Sequence, residues 1–75
     1  MNQVELAHML RKCREARDGD WHVLSTGEKL AAAFVLNRPA WLAEMKFSLA
    51  QAIDRLGPEW LALVPVVARM LEEEP

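Results

Sequence analysis

Seven apolar residues run without interruption from Leu30 to Leu36, inside the stretch Ser25–Asn37, STGEKLAAAFVLN. A helix-start signature precedes them. Ser25 and Glu28 stand three apart, the spacing at which each side chain can satisfy the other's backbone amide in a capping box. The helix that follows has no polar face between Lys29 and Asn37. A helix apolar all round must be covered on every side. The rest of the chain is therefore expected to wrap around it, either from this chain or from a second copy. Ala31, Ala32 and Ala33 permit close approach of another helix. Gly27 in the first turn costs about 1 kcal/mol relative to alanine, and the sequence offers no account of it beyond close packing. Asn37-Arg38-Pro39 closes the helix, because the residue before a proline avoids helical backbone angles.

Seventy-five residues make one domain, 1–75. A chain this short buries only about 60% of the surface its unfolded form exposes. The lone cysteine, Cys13, permits no internal disulfide and suits a reducing compartment. Yet 52% of the residues are hydrophobic, where globular domains average about 45–50% with glycine included. That excess points to an interface hidden in an assembly. A net charge of −2 argues against general nucleic-acid binding, which draws on a basic field. The N-terminus lacks the basic start and apolar core of a signal peptide. The longest apolar run, Trp60–Ala68, contains Pro65 and falls well short of the about 20 residues a membrane span needs. The expectation is a cytoplasmic protein with no membrane contact.

Along the chain, Asn2 and Glu5 cap a first helix. Val4, Leu6, Met9, Leu10, Cys13 and Ala16 recur every three or four residues and form its apolar stripe. Asp18-Gly19-Asp20 ends it, with Gly19 free to turn left-handed. Trp21–Leu24 has strand character and reads as an extended linker laying Trp21 and Val23 or Leu24 on the helices. After the Ser25–Asn37 helix, Pro39 opens a short third one carrying Trp41, Leu42 and Met45. Ser48 and Gln51 form another capping box, with Phe47 against Ala52 as a hydrophobic staple. Leu49, Ala52, Ile53 and Leu56 share one face of the helix they start. Gly57 ends it and Pro58 starts the next. Trp60, Leu63, Val64, Val67, Met70 and Leu71 line one side of this last helix, and Leu61, Ala62, Val66 and Ala68 much of the other. Pro65 should kink or split it. Residues 72–75 read as a frayed acidic tail. The fold class is all-α, a compact bundle of four to five short helices around a central apolar helix.

Little here points to chemistry. His8, Cys13 and His22 are the only soft metal ligands, and zinc sites use three or four in close pairs. His8 and Cys13, five apart, point to different faces of one helix, so no metal is expected. Ser25 and Ser48 are caps rather than nucleophiles, no glycine-rich phosphate loop is present, and Asp18 and Asp20 are turn residues. No catalytic residue and no cofactor is expected, and the chain does not read as an enzyme.

The segment Phe47–Val67 resembles the start of a helix-turn-helix: a capped amphipathic helix, then a glycine turn. A recognition helix, however, shows polar side chains to base edges. Here the second helix reads Glu59-Trp60-Leu61-Ala62-Leu63-Val64-Pro65. Were DNA touched, Arg11, Lys12, Arg14 and Arg17 would be the better contacts; their plain reading is a solvated face near a helix C-terminus. Trp21, Trp41 and Trp60 each follow a turn or helix start, suiting them to core ends and to protein interfaces.

TGEKLAAAFVLNRPAWLAEM (26–45) and FSLAQAIDRLGPEWLALVP (47–65) together resemble small uncharacterised helical proteins carried on bacterial plasmids and integrative elements. The resemblance implies an accessory role and a cytoplasmic location, and carries over no catalytic residue.

The leading expectation is a non-enzymatic interaction protein that forms a homodimer. Its contact residues are read as Phe34, Val35, Trp60, Leu61, Leu63, Val64, Val67 and Met70. One alternative is a small DNA-binding accessory factor using Arg11, Lys12, Arg14 and Arg17. Another is an inhibitor or adaptor that hides its apolar helix in a larger host protein.

Overall fold

Three of the four helices begin where a short polar side chain meets free backbone amides. The computed structural model describes residues 2–75. Asn2 Oδ1 accepts from the amides of Val4 at 2.9 Å and Glu5 at 3.3 Å, opening α1, Gln3–Glu15. Ser25 opens α2, Thr26–Val35, through a reciprocal box. Its hydroxyl accepts from the Glu28 amide at 3.3 Å while Glu28 Oε1 accepts from the Ser25 amide at 2.9 Å. Ser48 and Gln51 repeat the box, at 3.1 and 2.9 Å, at the start of α4, Leu49–Glu72. Between them α3, Pro39–Glu44, uses no side-chain cap; Pro39 has no N–H to satisfy.

Helices α2 and α3 end alike. Asn37 (φ 55°) and Lys46 (φ 63°) take the left-handed conformation. After α2 the Arg38 amide donates to the Ala33 carbonyl at 2.8 Å and the Asn37 amide to Phe34 at 3.2 Å. After α3 the Phe47 amide donates to Leu42 at 2.9 Å and the Lys46 amide to Ala43 at 3.0 Å. Both are Schellman closures, which satisfy carbonyls the last turn leaves open, and both occur without the glycine usual at that position.

Two readings of the connections change. Trp21–Val23 is one 3₁₀ turn, not an extended linker. A period of three puts Trp21 and Leu24 on the same side, where both are buried, and leaves Val23 79% exposed. Burial of the large indole outweighs the local strand preference. In α4 the break lies at Gly57 (φ 81°, ψ 162°), as its place before Pro58 suggested, but the helix then runs through Pro65 without leaving helical angles. Pro65 sits on the exposed side, where its missing donor faces water.

The interior has two parts. Met9 and Cys13 of α1, with Ala16 just after it, meet Ala31, Ala32 and Val35 of α2 and Leu63 and Val67 of α4, with Trp21 and Leu24 closing one end. Leu30 and Ala33 of α2 meet Leu42 of α3 and Ala52 of α4 in the other. Residues Leu30 to Ala33 are thus dry inside a single chain, covered by its own helices, while Phe34 and Leu36 stay partly exposed. The radius of gyration, 11.3 Å, matches the about 11 Å of a compact chain of this length. No strand occurs among the described residues.

Three residues expected to face inward do not. Val4 is 78% exposed in the first turn of α1, and Leu49 and Ile53 are 62% and 44% exposed. The first arm of α4 leans on α2 and α3 with Ala52 and Leu56 only, which leaves the Leu49–Ile53 side outside. Nor does packing account for Gly27: a Cβ built there meets nothing within 4 Å.

Candidate interaction surface and polar junctions

Residues Trp60–Ala68 carry no polar side chain. The structure turns Leu63 and Val67 fully inward, and Trp60, Val64 and Ala68 pack partly against the same core. The side left outside shows Ala62 and Pro65 exposed, with Leu61 and Val66 partly so. Two opposite sides of one helix are therefore apolar, and this chain covers one of them.

Among the contact residues read from sequence, Val35, Leu63 and Val67 lie in the single-chain core. Phe34, Trp60, Leu61, Val64 and Met70 keep part of their surface in solvent. Ala62, Pro65 and Val66 were not named for this role. The signal for them is their helical spacing from Leu63 and Val67, readable only once that pair is known to face inward.

Charged residues border this surface. Glu59 and Arg69 are exposed and take part in no ion pair of the chain among the described residues. A shallow groove of about 590 Å³ separates the start of α1 from α4, lined by Asn2, Glu5, Glu59, Ala62 and Leu63.

The basic stripe is largely engaged within the chain. Arg14 Nε donates to Glu74 Oε2 at 2.7 Å, a second Arg14 nitrogen reaches the same oxygen, and Arg17 Nη1 donates to Glu74 Oε1 at 2.9 Å. Lys12 pairs with Glu15 at 3.4 Å, and Arg17 also lies 3.6 Å from Asp18. Hydrogen bonds from Arg14 and then Arg17 hold the Glu74 carboxyl below the usual carboxylate range. The acidic end read as frayed is thus folded back on α1 at Glu74. The pairing spans sixty positions, beyond the reach of any local pattern.

His8 joins three helices. Arg11 Nη2 lies 3.1 Å from Nδ1 and can only donate, so Nδ1 accepts and Nε2 carries the proton. That Nε2–H donates to Glu28 Oε2 at 2.7 Å. The ring edge faces Trp60 of α4, with centroids 6.0 Å apart. Burial alone would raise the Glu28 pKa. The Ser25 amide, His8, the Ser25 hydroxyl and the Lys12 charge outweigh it and hold the group below its ordinary value. With both ring nitrogens engaged, His8 ties α1 to α2 and to Trp60 of α4.

The soft ligands are not brought together. Cys13 is fully buried and burial pushes its thiol up to about 12. His22 lies 3.4 Å from Glu44 on another face. Of the tryptophans, Trp21 is core, and its Nε1–H donates to the Lys29 carbonyl at 3.1 Å. Trp41 and Trp60 are partly exposed. Among the described residues no helix is long and apolar enough to cross a membrane.

Comparison with known protein families, curated proteins and solved structures gives no match to this chain.

Proposed function

We propose that this chain is a non-enzymatic interaction protein that pairs with a second copy through the outer side of α4. The observation that carries the reading is the nine-residue segment Trp60–Ala68, which has no polar side chain and is covered on one side only. Ala62, Pro65 and Val66 offer small, flat contacts that let another backbone approach. A stable pair hides about 800 Å² per partner, roughly a sixth of the 4812 Å² this chain exposes. In this reading the protein acts in the cytoplasm as an accessory factor of a mobile element, which the resemblance of residues 26–45 and 47–65 supports.

Sedimentation equilibrium at micromolar concentration tests it. The expected species has twice the 8.5 kDa mass of the chain. Val66→Asp should return the single-chain mass with helicity unchanged. A wild-type protein that sediments as one chain throughout that range would overturn the proposal.

A further inference from the structure

We infer that two copies pair α4 against α4 in antiparallel register about a twofold axis level with Val64, so that Glu59 of each copy meets Arg69 of the other. The inference rests on the self-pairing proposed above and adds its geometry and its polar contacts.

Glu59, Ala62, Val66, Arg69 and Glu73 follow one another at spacings of three and four, so they form one stripe along α4. The stripe runs along the border of the Leu63–Val67 side, with Glu59 and Ala62 beside Leu63 in the groove facing α1. All five are exposed except Val66, which is partly so. Glu59, Ala62, Val66 and Arg69 of this stripe are self-complementary in one orientation only. Antiparallel pairing with Val64 at the centre sets Glu59 opposite Arg69 and Ala62 opposite Val66, each contact occurring twice. Parallel pairing would set Glu59 against Glu59 and Arg69 against Arg69, an arrangement like charges disfavour. The small Ala62 leaves room for the branched Val66 of the other copy.

The groove at the start of α1 completes the match. Glu5 and Glu59 both line it, beside Ala62. An arginine that arrives opposite Glu59 therefore enters between two carboxylates. Arg69 has no partner in its own chain among the described residues, although Glu72 and Glu73 follow within one turn. Because each copy supplies the same surface, the contact closes on itself and stops at two chains.

Charge reversal on the full chain, read by sedimentation equilibrium with helicity followed by circular dichroism, tests the register. Glu59→Arg and Arg69→Glu alter exposed positions and should leave the fold intact. Each alone turns two attractive pairs into repulsive ones and should weaken pairing at least about tenfold at low salt. The double variant E59R/R69E should restore affinity to within about threefold of wild type. A wild-type dimer indifferent to either single reversal, or not rescued by the double variant, overturns the register and leaves self-pairing standing. A monomeric wild-type protein removes both.

Discussion

The indole of Trp21 stacks on that of Trp41, with ring centroids 4.7 Å apart and planes 20° from parallel. The Lys29 ammonium lies 5.2 Å from the Trp21 ring and the Arg38 guanidinium 5.9 Å from the Trp41 ring, so a cation stands by each indole. The stack fastens the 3₁₀ turn to α3. Trp21→Ala is expected to cost about 3–5 kcal/mol, as for other buried aromatics. Trp41→Ala should cost less, because Trp41 is only partly buried. Urea denaturation measures both. Trp41→Phe should keep most of the packing yet abolish the exciton couplet of the paired indoles in circular dichroism.

Glu28 serves the cap of α2 with one oxygen and His8 with the other. Glu28→Ala removes both contacts and should destabilise by about 1–2 kcal/mol. Glu28→Gln keeps an acceptor for the Ser25 amide and should cost less. The pKa of Glu28 is lower in the folded chain than in the unfolded one. Its ionised form therefore stabilises fully above the unfolded value of about 4.3. That contribution fades as pH falls through the lower folded value. Urea midpoints measured from about pH 6 to about pH 3 should drop more steeply for wild type than for Glu28→Gln. Equal slopes would contradict this account.

Lys46 holds a positive φ at the end of α3 with no glycine to ease it. Lys46→Gly should raise stability by about 1 kcal/mol, the left-handed penalty less the entropy glycine gains on unfolding. Asn37→Gly should gain less, because asparagine tolerates that conformation. The reverse logic applies at Gly27, which is helical and has open space around its missing side chain. Gly27→Ala should stabilise by up to about 1 kcal/mol. Thermal melts of the three variants check the order.

Cys13 has no exposed surface, and burial disfavours its thiolate. A thiol reagent in excess should leave the native chain unlabelled and react only as the core opens. The labelling rate should then rise with urea in step with global unfolding. Rapid labelling in native buffer would show that α1 parts from α4 locally.

What could be read from the sequence follows the distance between partners. The caps at Asn2, Ser25 and Ser48 were legible because donor and acceptor lie within three residues. The bend at Gly57 was legible because glycine before proline is a local signal. Trp21–Leu24 was misread because the two buried residues declare a three-residue period only against a core. The inward side of α4 was ambiguous because Trp60–Ala68 is apolar on every side, so periodicity alone named Leu63 and Val67 as contacts and passed over Ala62 and Val66. His8 with Glu28, and Arg14 and Arg17 with Glu74, join residues twenty or more positions apart, and no local pattern encodes them.

Gly57 has a further consequence for the fate of the chain. Its backbone angles, φ 81° and ψ 162°, belong to territory that a residue with a Cβ enters only under strain, although no neighbouring atom stands in the way. A substituted residue is not free to relieve that strain by becoming helical, because Pro58 keeps the residue before it out of helical angles, so residues 49–72 stay two arms at a cost in stability. A single hydrogen atom in place of a methyl group thus lets the chain lay its first arm, with Ala52 and Leu56, against Leu30 and Leu42 without strain.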